Sequence, residues 1–307
     1  MLDTGTVSEA AAARLELEAG PSRPAQSYWS ESWERLRANR IGVFCGALML
    51  VLAAVAVMAP IFSQYVTHFT PSKQDLDNIF LPPARQHWLG SDELGRDTLT
   101  RLIWGARVSL GVAFLTVAIA LTVGAAVGLV AGYYGRWVDE ALMRTVDVVL
   151  SIPAVFLFIL MSILFRPTAI TLSLIIASVG WGVLARLVRG EVLSVRSRDF
   201  MLATRSIGAG DLRLIGRHLL PNVLPIMVVA ASLTVGQVIL IEAALDFLGL
   251  GILPPTPSWG NMLTNAQSYF VHSGWLVIFP GLTIFVTVLA ANLFGNAVRD
   301  AFDPRLR

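Results

Sequence analysis

Few side chains able to do chemistry occur in this 307-residue chain, and they lie far apart. Glu242 and Asp246 stand four residues apart, hence on one face of a helix, within an otherwise apolar stretch. Acids at membrane depth are costly unless they bind a cation or find a partner. The pair is therefore either a cationic-solute site on a transport pathway or an acid pair at the membrane edge, held by water or an arginine. The Gly-Leu-Gly run at 249–251 favours the edge. His68, His87, His218 and His272 lack metal-ligand spacing, and catalysis by any of them is not expected. Cys45 is the single cysteine. It excludes an intrachain disulfide and a multi-cysteine metal site, and in its apolar run it reads as a buried, inert thiol. No glycine-rich loop runs into Lys-Ser or Lys-Thr, and Lys73 is the one lysine. The chain cannot hold a nucleotide in the usual way. No cofactor of its own is expected, and any energy must come from a partner. Nothing points to nucleic acid, and no titratable cluster suits an enzyme.

The elements that must position these residues are membrane helices. The chain is 55% hydrophobic and only 14% charged, against about a quarter charged in ordinary soluble domains. Uncharged apolar stretches of near-spanning length occur at 41–62, 108–134, 148–165, 167–185, 219–241 and 275–298. The low-charge run 247–298 cannot be one helix, because Gly249, Gly251, Pro254, Pro255, Pro257 and Gly260 break it. The expectation is an all-α integral membrane protein of six spans. With the N-terminus inside, 17 of the 23 basic residues fall on inner segments and 6 on outer ones. That bias supports N-in and C-in.

The polar start of the chain, with Asp3, Glu9, Glu16 and Glu18, is no secretory n-region, and a loosely ordered arm is expected over 1–27. Residues 28–66 should hold a surface helix, with Trp29, Trp33 and Leu36 between Arg35, Arg37 and Arg40, and then the first span. An outer loop follows at 67–107, its five basic residues balanced by Asp75, Asp77, Asp92, Glu93 and Asp97. The core should occupy 108–298 and a cytoplasmic tail 299–307. Gly124, Gly128 and Gly132 repeat every four residues and should let a neighbouring helix come close. Pro153, Pro221, Pro225 and Pro280 are positions for kinks. Asp139, Glu140, Arg144 and Asp147 read as a solvated ion-pair cluster.

The segment 196–225 reads RSRDFMLATRSIGAGDLRLIGRHLLPNVLP. Phe200, Ala203, Thr204 and Ile207 recur at helical spacing, then Gly208, Ala209 and Gly210 interrupt. A second short helix should follow, with Leu212, Ile215 and Leu219 on one side and Arg213 and Arg217 on the other. An interfacial helix on anionic lipid would explain the arginines but not the small residues at the turn. This segment resembles the loop of inner-membrane permeases of binding-protein-dependent ABC importers. Their loop carries Glu-Ala-Ala, three residues, Gly, nine residues, a hydrophobic position, any residue, and Leu-Pro. Ala203 and Thr204 take the small-residue places, Gly208 the glycine, and His218 to Pro221 the end, while Leu202 stands where the family has glutamate.

Three further stretches, 87–110 (HWLGSDELGRDTLTRLIWGARVSL), 247–262 (FLGLGILPPTPSWGNM) and 289–307, look like the C-type permease subunit of oligopeptide, dipeptide and nickel importers. So does the head from Trp33 to Pro60. Asn296 and the short connection at 166–168 depart from that pattern. The resemblance implies a type I ABC importer permease fold in the bacterial inner membrane. It implies a coupling segment at 196–217 that docks on an ATPase, with ATP and Mg bound by that partner. It also implies a second homologous permease, two ATPase subunits, an extracytoplasmic solute-binding protein, and di- or oligopeptide cargo. Related cargoes would be nickel chelates, glutathione, opines or sugars. With Leu202 in place of the acid, backbone fit over 203–208 must carry the contact. An ion-gradient-driven transporter would need ionisable groups at mid-membrane and inverted repeats, and neither is visible.

Overall fold

The computed structural model describes residues 28–271 and 273–303. The arm expected at 1–27, His272 and tail residues 304–307 lie outside the described residues. The described chain is helical. Helices of eight residues or more are labelled here: α1 Tyr28–Ala38, α2 Arg40–Val57, α3 Thr98–Tyr134, α4 Arg136–Ser151, α5 Ala154–Leu164, α6 Ala169–Arg196, α7 Asp199–Ser206, α8 Leu220–Phe247 and α9 Trp275–Phe302. Helices α2, α3, α6 and α9, and the helical run from Asp211 to Phe247, are each long and apolar enough to cross a membrane.

Local sequence sets the starts. Asn39 caps α2 by accepting from the Gly42 amide at 2.9 Å, and Asp97 caps α3 by accepting from the Thr100 amide at 2.7 Å. Thr168 and Thr171 form a reciprocal capping box on α6. Four spans run beyond their uncharged stretches: α8 continues to Phe247, α9 to Phe302, and α3 and α6 are extended further. α3 starts at Thr98, so 98–107 is helix rather than outer loop, and α6 runs past 185 to Arg196. The reason is partnering: Arg186 bonds Asp147 at 2.5 Å, Arg189 grips both oxygens of Asp139 at 2.5 and 2.6 Å, and Arg196 donates to the Gly132 carbonyl at 3.2 Å. Asp139 and Asp147 thus pair with α6 rather than with Arg144.

The stretch 148–165 is not one straight span. α4 and α5 meet at a 79° bend. Pro153 forces Ile152 into extended backbone (φ −85°, ψ 126°), which ends α4. The two helices still make one crossing. α3 and α6 run parallel, since Gly124, Gly128 and Gly132 meet Leu184, Val188 and Val192 in rising order. Residues 135–168 must therefore return the chain from the end of α3 to the start of α6.

A Cβ on Gly128 would lie 2.6 Å from the Ala185 carbonyl oxygen and 2.7 Å from Val188 Cβ. Only glycine lets the two backbones stand this close. α8 runs antiparallel to α3, and α9 antiparallel to α8, with Gly295 facing Leu233 and Gly236 facing Asn292. α2 lies against α9 through Gly42 and Gly46. Arg35 of α1 donates to the Asp303 carbonyl at 3.2 Å, so both described ends lie on one side. That is also the side where α6 ends, α8 begins and α7 sits.

Candidate functional site

At that shared end the chain from 197 to 221 forms a ledge. α7 is followed by Ile207, then Gly208 at φ +84°, then Ala209, Gly210, a single turn at Asp211–Arg213 and a π turn at Leu214–Leu219 that feeds α8. The left-handed backbone at Gly208 is what reverses the chain, and glycine adopts it without steric cost. Pro221 cannot donate to the carbonyl four residues back, and the widened turn before it accommodates that loss.

The ledge buries one face and leaves the other open. Met201, Leu214 and Leu219 are buried against Tyr133, Val188, Val192 and Val195 of α3 and α6. Phe200 is exposed and Ile215 half-buried. The apolar residues left outside are Leu202, Ile207 and Leu212, at 59%, 84% and 87% exposure. Ala203, Gly208, Gly210 and Pro221 are exposed beside them, and Thr204, Ala209 and His218 are half-buried. Nothing lies within 4 Å of a Cβ placed on Gly208 or Gly210. Helical spacing marks such a stripe without saying which of its residues a neighbour covers: of Leu212, Ile215 and Leu219, only Leu219 is fully buried. The ledge is tied to α3 by Tyr133 Oη donating to Asp211 Oδ1 at 2.6 Å. The result is an open platform of small residues and three apolar side chains, flanked by Arg205, Arg213 and Arg217, and joined rigidly to α8.

At the opposite end the acid pair of α8 has another setting than either reading foresaw. Glu242 is 0% and Asp246 1% exposed, so both are enclosed by this chain's own atoms, and among the described residues neither is held by an arginine. Asp246 accepts from the Ile252 amide at 2.6 Å and from the Ser258 hydroxyl. Glu242 accepts from Ser109 of α3 at 2.9 Å, and Ser109 in turn accepts from the Trp259 amide at 3.1 Å. Asn261 closes the loop by donating to the carbonyls of Ile252 (2.9 Å) and Thr256 (2.8 Å). Trp259 is fully buried and donates to the Leu102 carbonyl at 3.0 Å. Gly260 lets this loop rest on Ala243, where a Cβ would be 2.6 Å away. The acids thus clasp the 251–261 loop between α3 and α8.

A second buried network lies in 87–101. Asp92 accepts from the Arg96 amide and side chain (2.9 and 2.6 Å) and approaches Arg101 at 3.4 Å. His87 Nδ1 lies 2.9 Å from Asp97 and its ring stacks on Phe69 at 4.7 Å. The sequence shows only that the charges of this outer loop balance; the structure shows that several of them are buried. The available signal was the dense alternation of acid, glycine and arginine in Ser91–Thr98, which suits a folded turn better than a solvated one.

Six crossings with a ledge of small residues at one end define a polytopic membrane protein, and comparison with known proteins gives its family. Residues 124–307 match the model for the binding-protein-dependent transport system inner membrane component, and residues 27–83 the N-terminal transmembrane domain of oligopeptide transport permease C. The chain is 37% identical to the dipeptide transport system permease protein DppC of Alkalihalophilus pseudofirmus, over 92% of each chain. It is 39% identical to the di/tripeptide transport system permease protein DppC of Pseudomonas aeruginosa, over 94% of this chain and 95% of that one. It is 38% identical to the glutathione transport system permease protein GsiD of Pectobacterium atrosepticum, over 91% and 92%. Among solved structures, the inward-facing MetNI methionine ABC transporter matches with a TM-score of 0.50 at 19% identity, over 65% of this chain and 97% of that one, a likeness of fold. The chain belongs to the family of binding-protein-dependent ABC importer permeases. It is a multi-pass inner-membrane transport subunit rather than an enzyme, and its family works with ATPase and solute-binding partners.

Proposed function

We propose that this chain is one of two membrane-spanning subunits of an importer for di- and oligopeptides. It pairs with a second, homologous permease, two ATPase subunits that bind ATP and Mg, and an extracytoplasmic solute-binding protein. The observation that carries this reading is the ledge. Its exposed residues Leu202, Ile207 and Leu212 are a small apolar patch rimmed by arginines, the character of a protein-docking surface. Peptide cargo is supported by the names of the three relatives above, which give dipeptides, di/tripeptides and glutathione. The ledge side is cytoplasmic and both chain ends are inside, as the arginine bias supports. Two basic residues of the opposite side, Arg96 and Arg101, are paired with buried Asp92, which leaves that side with fewer free cations.

In this mechanism ATP binding brings the ATPase subunits together and carries the ledge with them. The ledge is continuous with α8 and linked to α3 through Tyr133, so its movement shifts packed helices rather than a loose loop. ATP must favour one packed arrangement over the other by several kcal/mol to switch the pathway fully. The test is a Gly208→Val variant with Gly216→Ala as control, because both sites have open space for a side chain and only Gly208 has positive φ. ATPase recovery on pull-down and peptide uptake should fall with Gly208→Val and stay at wild-type level with Gly216→Ala. Full ATPase recovery with Gly208→Val, or solute transport by the purified chain alone, would overturn the reading.

A further inference from the structure

An apolar groove of about 730 Å³ runs along the outside of the bundle. Its walls include Ala47 and Leu50 of α2, Phe114 of α3, Met227 and Ala231 of α8, and Phe294 of α9. α2 packs against α9 and α3, and the groove opens between α2 and α8. Val43, Leu50, Phe114 and Val228 along it are exposed, in a protein whose surroundings are a bilayer. Ser232 and Arg37 are the polar residues of its lining.

Two features identify an occupant. The first is length. On α8 the lining runs from Leu224 to Val235, which at about 1.5 Å per residue is about 16 Å. That is close to half of the roughly 30 Å hydrocarbon core, or one leaflet. A helix of a partner subunit would need a groove about twice as long to be covered across the membrane. The second is charge. Trp33 and Arg37 stand at one end of the groove, on the α1 helix that lies at the ledge side. The Arg37 guanidinium sits 4.8 Å from the Trp33 ring centroid. Among the described residues it has no carboxylate within ion-pair distance, so its charge is open to a ligand. Tryptophan and arginine at this level are the side chains that meet lipid headgroups.

We propose that this groove binds one acyl chain of an anionic phospholipid, with Arg37 on the headgroup phosphate and the chain lying between α2 and α8. A lipid held there would wedge α2 away from α8 and set how freely α8, the helix joined to the ledge, can move.

The test uses the assembled transporter in nanodiscs of equal phosphatidylglycerol and phosphatidylcholine, extracted gently and weighed by native mass spectrometry. Wild type should retain phosphatidylglycerol through extraction. Ala47→Trp, which fills the groove, should lose it. Arg37→Gln should keep a bound lipid but lower the preference for phosphatidylglycerol about fivefold, the effect of one basic residue at a membrane surface. A photoreactive residue at position 47 should cross-link to an acyl chain. Equal lipid retention in wild type and Ala47→Trp, an unchanged preference in Arg37→Gln, or cross-linking of position 47 to the second permease would each overturn the proposal.

Discussion

Removing Asp246 tests whether the acids of α8 clasp a loop or serve a cationic cargo. In Asp246→Ala the Ile252 amide and the Ser258 hydroxyl both lose the oxygen they donate to, and both residues are buried. Each buried donor left without an acceptor costs about 1–3 kcal/mol, so the variant should lose about 2–6 kcal/mol. That is a large part of the roughly 5–15 kcal/mol that holds a typical domain. Asp246→Asn keeps one acceptor oxygen for the Ile252 amide and should lose about 1–3 kcal/mol. Glu242→Gln keeps an acceptor for Ser109 and should be the mildest of the three. The assay is apparent melting temperature in nanodiscs alongside uptake of cationic, neutral and acidic dipeptides. The expected order of melting temperatures is wild type, Glu242→Gln, Asp246→Asn, Asp246→Ala, and uptake should fall by the same factor for all three cargo classes. A selective loss of cationic dipeptide uptake at an unchanged melting temperature would refute the clasp and return the acids to the pathway.

Two further outcomes follow from the packing. Gly128→Ala places a methyl 2.6 Å from the Ala185 carbonyl oxygen. It should cost about 1–3 kcal/mol by overpacking. Gly111→Ala, in the same helix with nothing within 4 Å, should be neutral or stabilising by up to about 1 kcal/mol; thermal unfolding of the two variants checks both. Tyr133→Phe removes the 2.6 Å bond to Asp211 and should leave the ATPase bound while lowering uptake per ATP hydrolysed. Unchanged coupling in that variant would mean the ledge is held by Met201, Leu214 and Leu219 alone.

How much of this was legible beforehand depends on the kind of force involved. The apolar stretches were found because a bilayer excludes charge wherever partners are lacking. Their ends were misplaced where partners exist: α6 continues through Arg186, Arg189 and Arg196 because α4 and the Gly132 carbonyl meet them. Pro153 was noted as a kink position, but the 79° bend that splits the third crossing depends on how α4 and α5 each pack on α6. The glycine row 124, 128, 132 was readable as a contact stripe, and α6 is what fills it.

The candidate sites divide in the same way. The turn at Gly208 was visible in the sequence, since small residues and glycine between two apolar pieces have few other uses. Its outward-facing side was not, because helical spacing marks a face without naming its neighbour, and Met201, Leu214 and Leu219 turned out to be the buried set. The acids at 242 and 246 were seen as a pair because they are four apart. Their partners Ser109 and Ser258 come from 133 residues upstream of Glu242 and 12 downstream of Asp246, distances over which no local pattern operates.

The sequence by itself determined that this chain lives in a membrane, how many times it crosses, and where the chain turns at the ledge, because hydrophobic length and glycine φ are local properties. The tertiary structure alone decided which charges are buried, which apolar residues stay exposed, and that α2 and α8 leave a groove between them. Each of those depends on what a distant segment places against a given side chain.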